Sequence, residues 1–171
     1  MRERPTARVL LLDPESRILL MRGRLPSAPD GPSYWFTIGG GMEPGETATE
    51  AAAREVMEET GLTDFTLGPE VWYSEAVLHG EGGEPLFFQE HFFVAYTEGG
   101  PLSRAGWQDL ERRLVDELRW WSLDELRLTD AQVFPEGLAE LLEDVLAGRF
   151  SPQPLVIRTL EGAVRPLPRA E

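Results

Sequence analysis

Carboxylate side chains crowd one short segment of the sequence. Residues 39–62 hold six glutamates around a single arginine, Arg54. The glutamates are Glu43, Glu46, Glu50, Glu55, Glu58 and Glu59. Like charges spaced by four residues destabilise a helix by roughly a few tenths of a kcal/mol per pair, so helix stability alone does not select this pattern. Clustered carboxylate oxygens suit a divalent cation such as Mg²⁺ or Mn²⁺, whereas the alternative interpretation is a solvated acidic face.

The pattern around these glutamates predicts a helix that starts near Thr47 and ends at Gly61. At about 100° per residue, Glu55, Glu58 and Glu59 share one arc of that helix. The alanines at 48, 51 and 52 lie beneath the acidic arc, where another surface can approach closely. The buried side is predicted to comprise Thr49, Ala53, Val56, Met57 and Thr60.

Three consecutive glycines, Gly39, Gly40 and Gly41, precede the helix. Glycine allows sharp turns and close approach of the backbone to a ligand. The Pro-Gly pair at 44–45 predicts a second turn that aims Glu46 at the helix start. Backbone N–H groups in such a loop can face an anion, although the spacing does not fit the glycine fingerprint of a Rossmann fold.

Composition excludes several classes of function. The formal net charge of -14 argues against binding to duplex nucleic acid, which depends on Lys and Arg at phosphates. The 16 basic residues are all arginines, which excludes Schiff-base chemistry and a P-loop lysine. The absence of cysteine excludes disulfides and thiolate nucleophiles. No apolar run approaches the roughly 18 residues that span a membrane, so we expect a cytoplasmic protein.

The remaining elements predict a mixed α/β sandwich. Runs at 7–12 and 17–22 predict one hairpin, and runs at 65–78 and 86–97 predict another. Further strands are expected at 34–38 and 119–122, and a helix is expected at 135–147. Residues 102–117 are predicted to be a loop with one helical turn at most, and Ser122 is predicted to cap a brief helix. We expect one domain over 1–150, with 151–171 as an extension packed on it or partly loose.

Taken together, Gly40, Glu46 and the run REVMEETGL at 54–62 carry a specific spacing. They resemble the signature of the Nudix hydrolases, G-x5-E-x7-R-E-U-x-E-E-x-G-U with U aliphatic, and every specified position is filled. The preceding hairpin and the run RWWSLDEL at 119–126 also look like the family arrangement. One departure is Ile38, where many members have proline, and we expect it to alter the stiffness of the loop.

The resemblance implies the Nudix α/β/α sandwich with a catalytic strand-loop-helix. It implies hydrolysis of a nucleoside diphosphate linked to another group, with Mg²⁺ or Mn²⁺ held by Glu55, Glu58 and Glu59. By the same resemblance Glu46 supports the site, and Arg54 orients the carboxylates. The partner would be a small nucleotide-derived substrate, and a homodimer is one expectation because family members are often dimers. A nucleotide-binding regulatory module without turnover is the alternative function.

Several assignments stay open at this stage. The general base is Glu55 or a later acidic residue, for which the candidates are Glu90, Asp116 and Glu117, each weighed against plain surface exposure. Gly40 and Gly41 are the candidate phosphate loop, and Arg22 and Arg24 are candidates for clamping a phosphate or are ordinary surface residues. Tyr34, Trp35 and Trp72 are candidates for stacking on a base, or they are core residues. The substrate is not determined, because loops outside the motif select it.

Overall fold

The computed structural model describes residues 1–80 and 82–157. Four helices flank one sheet: α1 (Ala48–Thr60), α2 (Asp109–Leu114), α3 (Leu123–Leu128) and α4 (Leu138–Leu146). The strands are β1 (Arg2–Leu12), β2 (Ile18–Gly23), β3 (Tyr34–Gly41), β4 (Phe65–His79), β5 (Pro85–Thr97), β6 (Val115–Trp121), β7 (Val133–Phe134) and β8 (Leu155–Val156). All eight form one mixed sheet in the order β6-β2-β3-β1-β5-β4-β8, and β7 pairs with β3.

Alternating apolar residues divide the core between the two faces of this sheet. On one face, strand residues such as Val9 and Leu11 pack against Ala52 and Val56 of α1. On the other face, residues such as Leu10 and Leu20 form a cluster with Leu142 of α4. Successive strand residues point to opposite faces, so β1 supplies both clusters. The predicted α/β/α sandwich is confirmed.

Both predicted hairpins are present. β1 and β2 pair antiparallel around Leu12 and Ile18. In the turn between them, Asp13 Oδ1 accepts hydrogen bonds from the backbone N–H groups of Glu15 and Arg17, which explains why the residues DPES form a turn. β4 and β5 form the second, longer hairpin, and β5 runs parallel to β1 over the whole length of β1.

Helix α1 has both predicted ends. The Thr47 side chain accepts from the N–H of Glu50, and the Glu50 side chain accepts from the N–H of Thr47, which forms a capping box. Gly61 ends the helix in the left-handed conformation, with φ 74°. The predicted buried side was partly wrong: Glu55 and Glu59 are buried with Ala51, Ala52, Val56 and Thr60, whereas Met57 is 45% exposed.

Two other predictions need correction. The segment 102–117 was predicted to be mostly loop, but it contains α2 and the first residues of β6, which begins at Val115. Helix α4 begins at Leu138, because Val133 and Phe134 first pair with β3 as strand β7 and Gly137 adopts a left-handed conformation. The brief helix after Ser122 is confirmed as α3, with Ser122 as its N-cap.

The chain after residue 150 returns to the sheet. Leu155 and Val156 pair parallel with Trp72 and Tyr73 of β4, and Ile157 is buried. The prediction for the extension beyond Ile157 lies outside the described residues. Among the residues that the structure describes, no helix has the length and apolar character needed to cross a membrane.

Candidate active site

The end of strand β3 is built so closely that only glycine fits. Gly39 has φ 140°, and a Cβ there would collide with the backbone oxygen of Ala7 on β1. A Cβ on Gly40 would lie 2.5 Å from Oε1 of Glu55. The two glycines therefore let β1 and helix α1 approach the same short stretch of backbone.

Glu55 and Glu59 project from α1 into this close contact. Their side chains are 5% and 2% exposed, and Oε1 of Glu59 accepts a 3.2 Å hydrogen bond from the backbone N–H of Gly39. Oε2 of Glu59 is buried and has no hydrogen-bond partner among the described residues. Burial, with the adjacent Glu55 carboxylate second, raises the pKa of Glu59 well above its usual value.

Arg54 donates hydrogen bonds to three carboxylates of the segment. Its Nε and Nη2 donate to the two oxygens of Glu46 at 2.7 and 2.9 Å, a bidentate pair. Its Nη1 donates to Glu55 at 2.9 Å and to Glu58 at 3.2 Å, while Nη2 also donates to the backbone oxygen of Gly41. The hydrogen bonds from Arg54 to Glu46, with a further one from the N–H of Glu43, lower the pKa of Glu46 to about 2.

Arg54 supplies the positive charge that Glu55 and Glu58 share in this arrangement. Glu58 is the most accessible of the three predicted ligands, with a side chain 30% exposed, and partial burial raises its pKa. Within 1–80 and 82–157, no three carboxylate or imidazole groups are placed to hold a metal ion as they stand. A divalent cation would therefore compete with Arg54 for the oxygens of Glu55 and Glu58.

On the other face of the sheet, a second ion pair holds the same glycine. Arg8 of β1 donates through Nε to Glu90 Oε2 at 2.9 Å and through Nη1 to the backbone oxygen of Gly39 at 3.2 Å. The other oxygen of Glu90 accepts from the Ser74 hydroxyl at 3.2 Å. Gly39 is thus bonded to Arg8 on one face and to Glu59 on the other.

Comparison with known proteins identifies the family of this chain. Residues 2–144 match the family model described as NUDIX domain. The chain belongs to the Nudix hydrolase family. An RNA pyrophosphohydrolase from Caulobacter vibrioides is 33% identical over 129 residues, which cover 71% of this chain and 73% of that protein. An oxidized purine nucleoside triphosphate hydrolase from Mus musculus is 30% identical over 125 residues, covering 71% of this chain and 68% of that protein.

Two further similarities support less: one covers a small part of the related protein, and the other has low sequence identity. An octanoyltransferase from Myxococcus xanthus is 36% identical over 84 residues, but this chain spans only 22% of that protein's length. The solved structure of a mutator MutT protein from Bacillus halodurans aligns with a TM-score of 0.60 at 23% identity, covering 90% of this chain and 86% of that one. The second likeness supports the Nudix fold alone.

Four residues predicted to contact phosphate or to act as acid or base bind one another instead. Arg22 Nε donates to Asp116 at 2.7 Å, and its Nη1 lies 3.2 Å from Glu117. Arg24 donates to the other oxygen of Asp116 at 3.4 Å. All four lie where β2 meets the edge strand β6, and their charges are mutually compensated. The structure thus gives the two arginines carboxylate partners in the place of the predicted phosphate.

Two of the three predicted stacking residues are core residues. Trp35 is 6% exposed and packs edge-on against Trp121, with ring centroids 5.0 Å apart. Trp72 is 3% exposed and packs against Phe92. Both rings therefore occupy the core, which is the alternative that the sequence left open. Tyr34 is half-buried beside Phe134.

Sequence reasoning missed three residues around the Nudix motif. Arg8 was not singled out, because its partner Glu90 is 82 residues away. Trp107 donates its indole N–H to the backbone oxygen of Glu59, from a segment that was predicted to be loop. Arg4 is half-buried beside Gly41, and its guanidinium would lie about 3.5 Å from a Cβ there. The only sequence signal at these three positions was the residue type, since arginine and tryptophan side chains carry hydrogen-bond donors.

Proposed function

We propose that this Nudix pyrophosphohydrolase cleaves one pyrophosphate bond of a nucleoside diphosphate linked to a further group, with Mg²⁺ or Mn²⁺ as cofactor. Water supplies the attacking oxygen, one P–O bridge breaks, and two phosphate monoesters or a monoester and free phosphate or pyrophosphate leave. The printed names of two relatives, an RNA pyrophosphohydrolase and an oxidized purine nucleoside triphosphate hydrolase, support this class of reaction.

The observation that carries the proposal is the unpartnered oxygen of Glu59. Leaving a buried carboxylate oxygen without a partner costs roughly several kcal/mol, so folding alone does not favour it. The neighbouring donors, Glu55 and Glu58, are carboxylates as well, and an oxygen-only donor set suits Mg²⁺ or Mn²⁺ better than zinc. We assign the three as the residues that hold the cation.

When bound, such a cation polarises phosphoryl oxygens and lowers the pKa of a coordinated water. The protein's own residues prepare the place where this happens. Gly39 anchors Glu59 through its N–H, and Gly40 leaves room for the Glu55 carboxylate. Arg54 holds Glu46 by two hydrogen bonds, which leaves its Nη1 to orient Glu55 and Glu58. Positive charge is needed here, because a polyphosphate approaches a chain of net charge -14.

We assign the general base to Glu55. Of the other candidates, Glu90 has partners on both oxygens and lies on the face of the sheet away from α1, beside Arg8. Asp116 and Glu117 are held by Arg22 at a strand edge. Of these four candidates only Glu55 lies against the glycine loop, so it is the one best placed to accept the proton of the attacking water.

A substrate panel tests the proposal. Purified protein would be incubated with nucleoside triphosphates including oxidised purines, ADP-ribose, a dinucleoside polyphosphate and a 5′-triphosphorylated oligoribonucleotide. Product release with Mg²⁺ or Mn²⁺, and none with excess EDTA, is the expected result. Glu55→Gln should lower kcat by about 10²–10⁴-fold, the usual contribution of a general base.

Glu143→Gln is the matched control, because Glu143 is a helical glutamate paired with Arg127 at α3 and α4, outside the motif. It should keep full activity. Tight nucleotide binding without turnover of any compound would replace the proposal with the regulatory module. Absence of any rise in melting temperature with Mg²⁺ or Mn²⁺ would count against a metal site at these glutamates, since a bound ion stabilises the folded state.

A further inference from the structure

One arginine beside the Nudix motif, Arg4, is not neutralised by any carboxylate in the part of the chain that the structure describes. The guanidinium of Arg4 lies next to Gly41, about 3.5 Å from where a Cβ on that glycine would be. Among the described residues Arg4 forms no ion pair and no side-chain hydrogen bond, although the chain holds 30 acidic and only 16 basic residues. In so acidic a protein, an arginine that is half-buried and still unpaired is unusual.

The position of Arg4 is set by a rigid part of the sheet. The pairing of β1 with β3 starts where Thr6 lies opposite Gly41. Just beyond it, Met42 donates its N–H to the backbone oxygen of Pro5. On its other side, Arg4 faces Phe88 of β5 in the parallel ladder. The backbone that carries the guanidinium is therefore fixed on both sides.

Arg4 lies on the opposite face of strand β3 from Glu55. A Cβ on Gly40 would meet Glu55, whereas a Cβ on the next residue, Gly41, would meet Arg4. Successive residues of a strand point to opposite faces, so the glycine strand separates the carboxylates of α1 from the guanidinium of Arg4. Because neither glycine has a side chain, only backbone lies between the Glu55 carboxylate and the Arg4 guanidinium.

Charge selects Arg4 over its neighbour Arg8 as the anion ligand. Both lie on the same face of β1, since they are four residues apart. Arg8 is held by Glu90 at 2.9 Å and by the backbone oxygen of Gly39, so its charge is compensated. No other described residue occupies the N–H donors of Arg4, which suit a planar, bidentate contact with a phosphate.

We propose that Arg4 binds a phosphate group of the substrate, on the side of the Gly39–Gly41 strand opposite the metal-binding glutamates, so that the polyphosphate straddles this strand. The inference rests on the proposed function, and it assigns Arg4 as a ligand of one phosphate in the substrate's polyphosphate chain. Glu55, Glu58 and Glu59 would hold the cation that neutralises one phosphate, and Arg4 would bind a second phosphate of the same chain.

Binding of inorganic triphosphate in the presence of Mn²⁺, measured by titration calorimetry, tests this. A charge-assisted contact of this kind contributes about ten- to hundredfold in affinity, so Arg4→Gln should weaken binding by that factor. Arg2→Gln is the matched control, because it removes the same charge from an exposed residue on the same face of β1, two residues away. The control should bind within about twofold of wild type, because exposed charges are screened at physiological salt.

Equal binding by the two glutamine variants would overturn the role of Arg4 while leaving the proposed reaction intact. Failure of the wild type to bind triphosphate with Mn²⁺ would count against the metal site itself, and so against both proposals. A thermal melt of each variant checks its folding. If Arg4→Gln does not fold, Arg4→Lys decides: it keeps the charge but loses the bidentate fork, so it should bind several-fold more weakly than wild type.

Discussion

Trp107 donates its indole N–H to the backbone oxygen of Glu59 over 2.8 Å, inside the protein. This hydrogen bond ties the segment before α2 to the last turn of α1, where helix carbonyls lack partners within the helix. The residue that carries the unpartnered carboxylate oxygen is therefore held by its main chain as well as by Gly39.

We predict that Trp107→Phe lowers the free energy of unfolding by about 1–3 kcal/mol, the cost of leaving a buried carbonyl without its donor, plus a packing loss. Trp121→Phe is the matched control. Trp121 is equally buried, but its indole N–H has no partner among the described residues, so the substitution removes packing alone. Urea denaturation of both variants measures the difference, and a smaller loss for Trp107→Phe than for Trp121→Phe would contradict the prediction.

Gly40→Ala should reduce kcat by about 100-fold with a modest loss of stability. The new Cβ would lie 2.5 Å from Oε1 of Glu55 and 2.9 Å from its Cδ, so the carboxylate must move by an amount that catalysis does not tolerate. Gly82→Ala makes a comparable contact, 2.9 Å from an oxygen of Glu84, in the turn between β4 and β5. The kcat of Gly40→Ala should be far below that of Gly82→Ala in steady-state kinetics. Equal kcat values would show that the position of the Glu55 carboxylate does not matter for catalysis.

The ion pair between Glu46 and Arg54 should stabilise the fold down to unusually low pH. The pKa of Glu46 falls from its ordinary 4.5 to about 2 in the folded chain. A depressed folded pKa contributes stability that is fully present above pH 4.5 and is lost as the pH falls towards 2. Glu46→Gln should remove this part of the pH dependence of stability. The difference in stability between wild type and variant should therefore shrink as the pH falls from 4.5 to 2. Thermal melts across that range measure it, and a constant gap would refute the assignment.

Tyr73 should ionise late in an alkaline titration. Burial first, and then the nearby Glu75 carboxylate, raise its pKa from 10 to about 12. A raised folded pKa means that the associated stability is complete below pH 10 and is lost as the pH rises towards 12. Absorbance at the tyrosinate band should show a component near pH 12 that disappears in Tyr73→Phe, and its persistence in that variant would show that another residue produces it.

Local sequence patterns predicted the helix and both hairpins, because caps, turns and alternation act over a few residues. Thr47 and Gly61 bound α1, and the turn after Leu12 joins β1 to β2 as expected. The family signature predicted Glu55, Glu58 and Glu59 as metal ligands, and in the structure Glu55 and Glu59 lie against the glycine loop. Their burial was not predicted, because a helical wheel assigns charged residues to solvent unless a partner such as Gly39 is known.

Contacts between distant segments could not be predicted from such patterns. Arg22 binds Asp116 across 94 residues, an ion pair between two candidate site residues that no local pattern indicated. Trp35 was a candidate for base stacking only until β6 was known to place Trp121 against it. Charge and aromatic type signal that a residue binds something, while the topology of the sheet determines what it binds.

Gly39 joins both faces of the sheet through its N–H bond to Glu59 and its carbonyl bond to Arg8. Its amide proton is therefore a natural reporter for nuclear magnetic resonance. Anything that draws the Glu59 carboxylate away would leave that proton without its acceptor and would shift its resonance. A change at Arg8 would reach the same residue through the adjoining peptide group, so one backbone signal could follow events on either side of the protein.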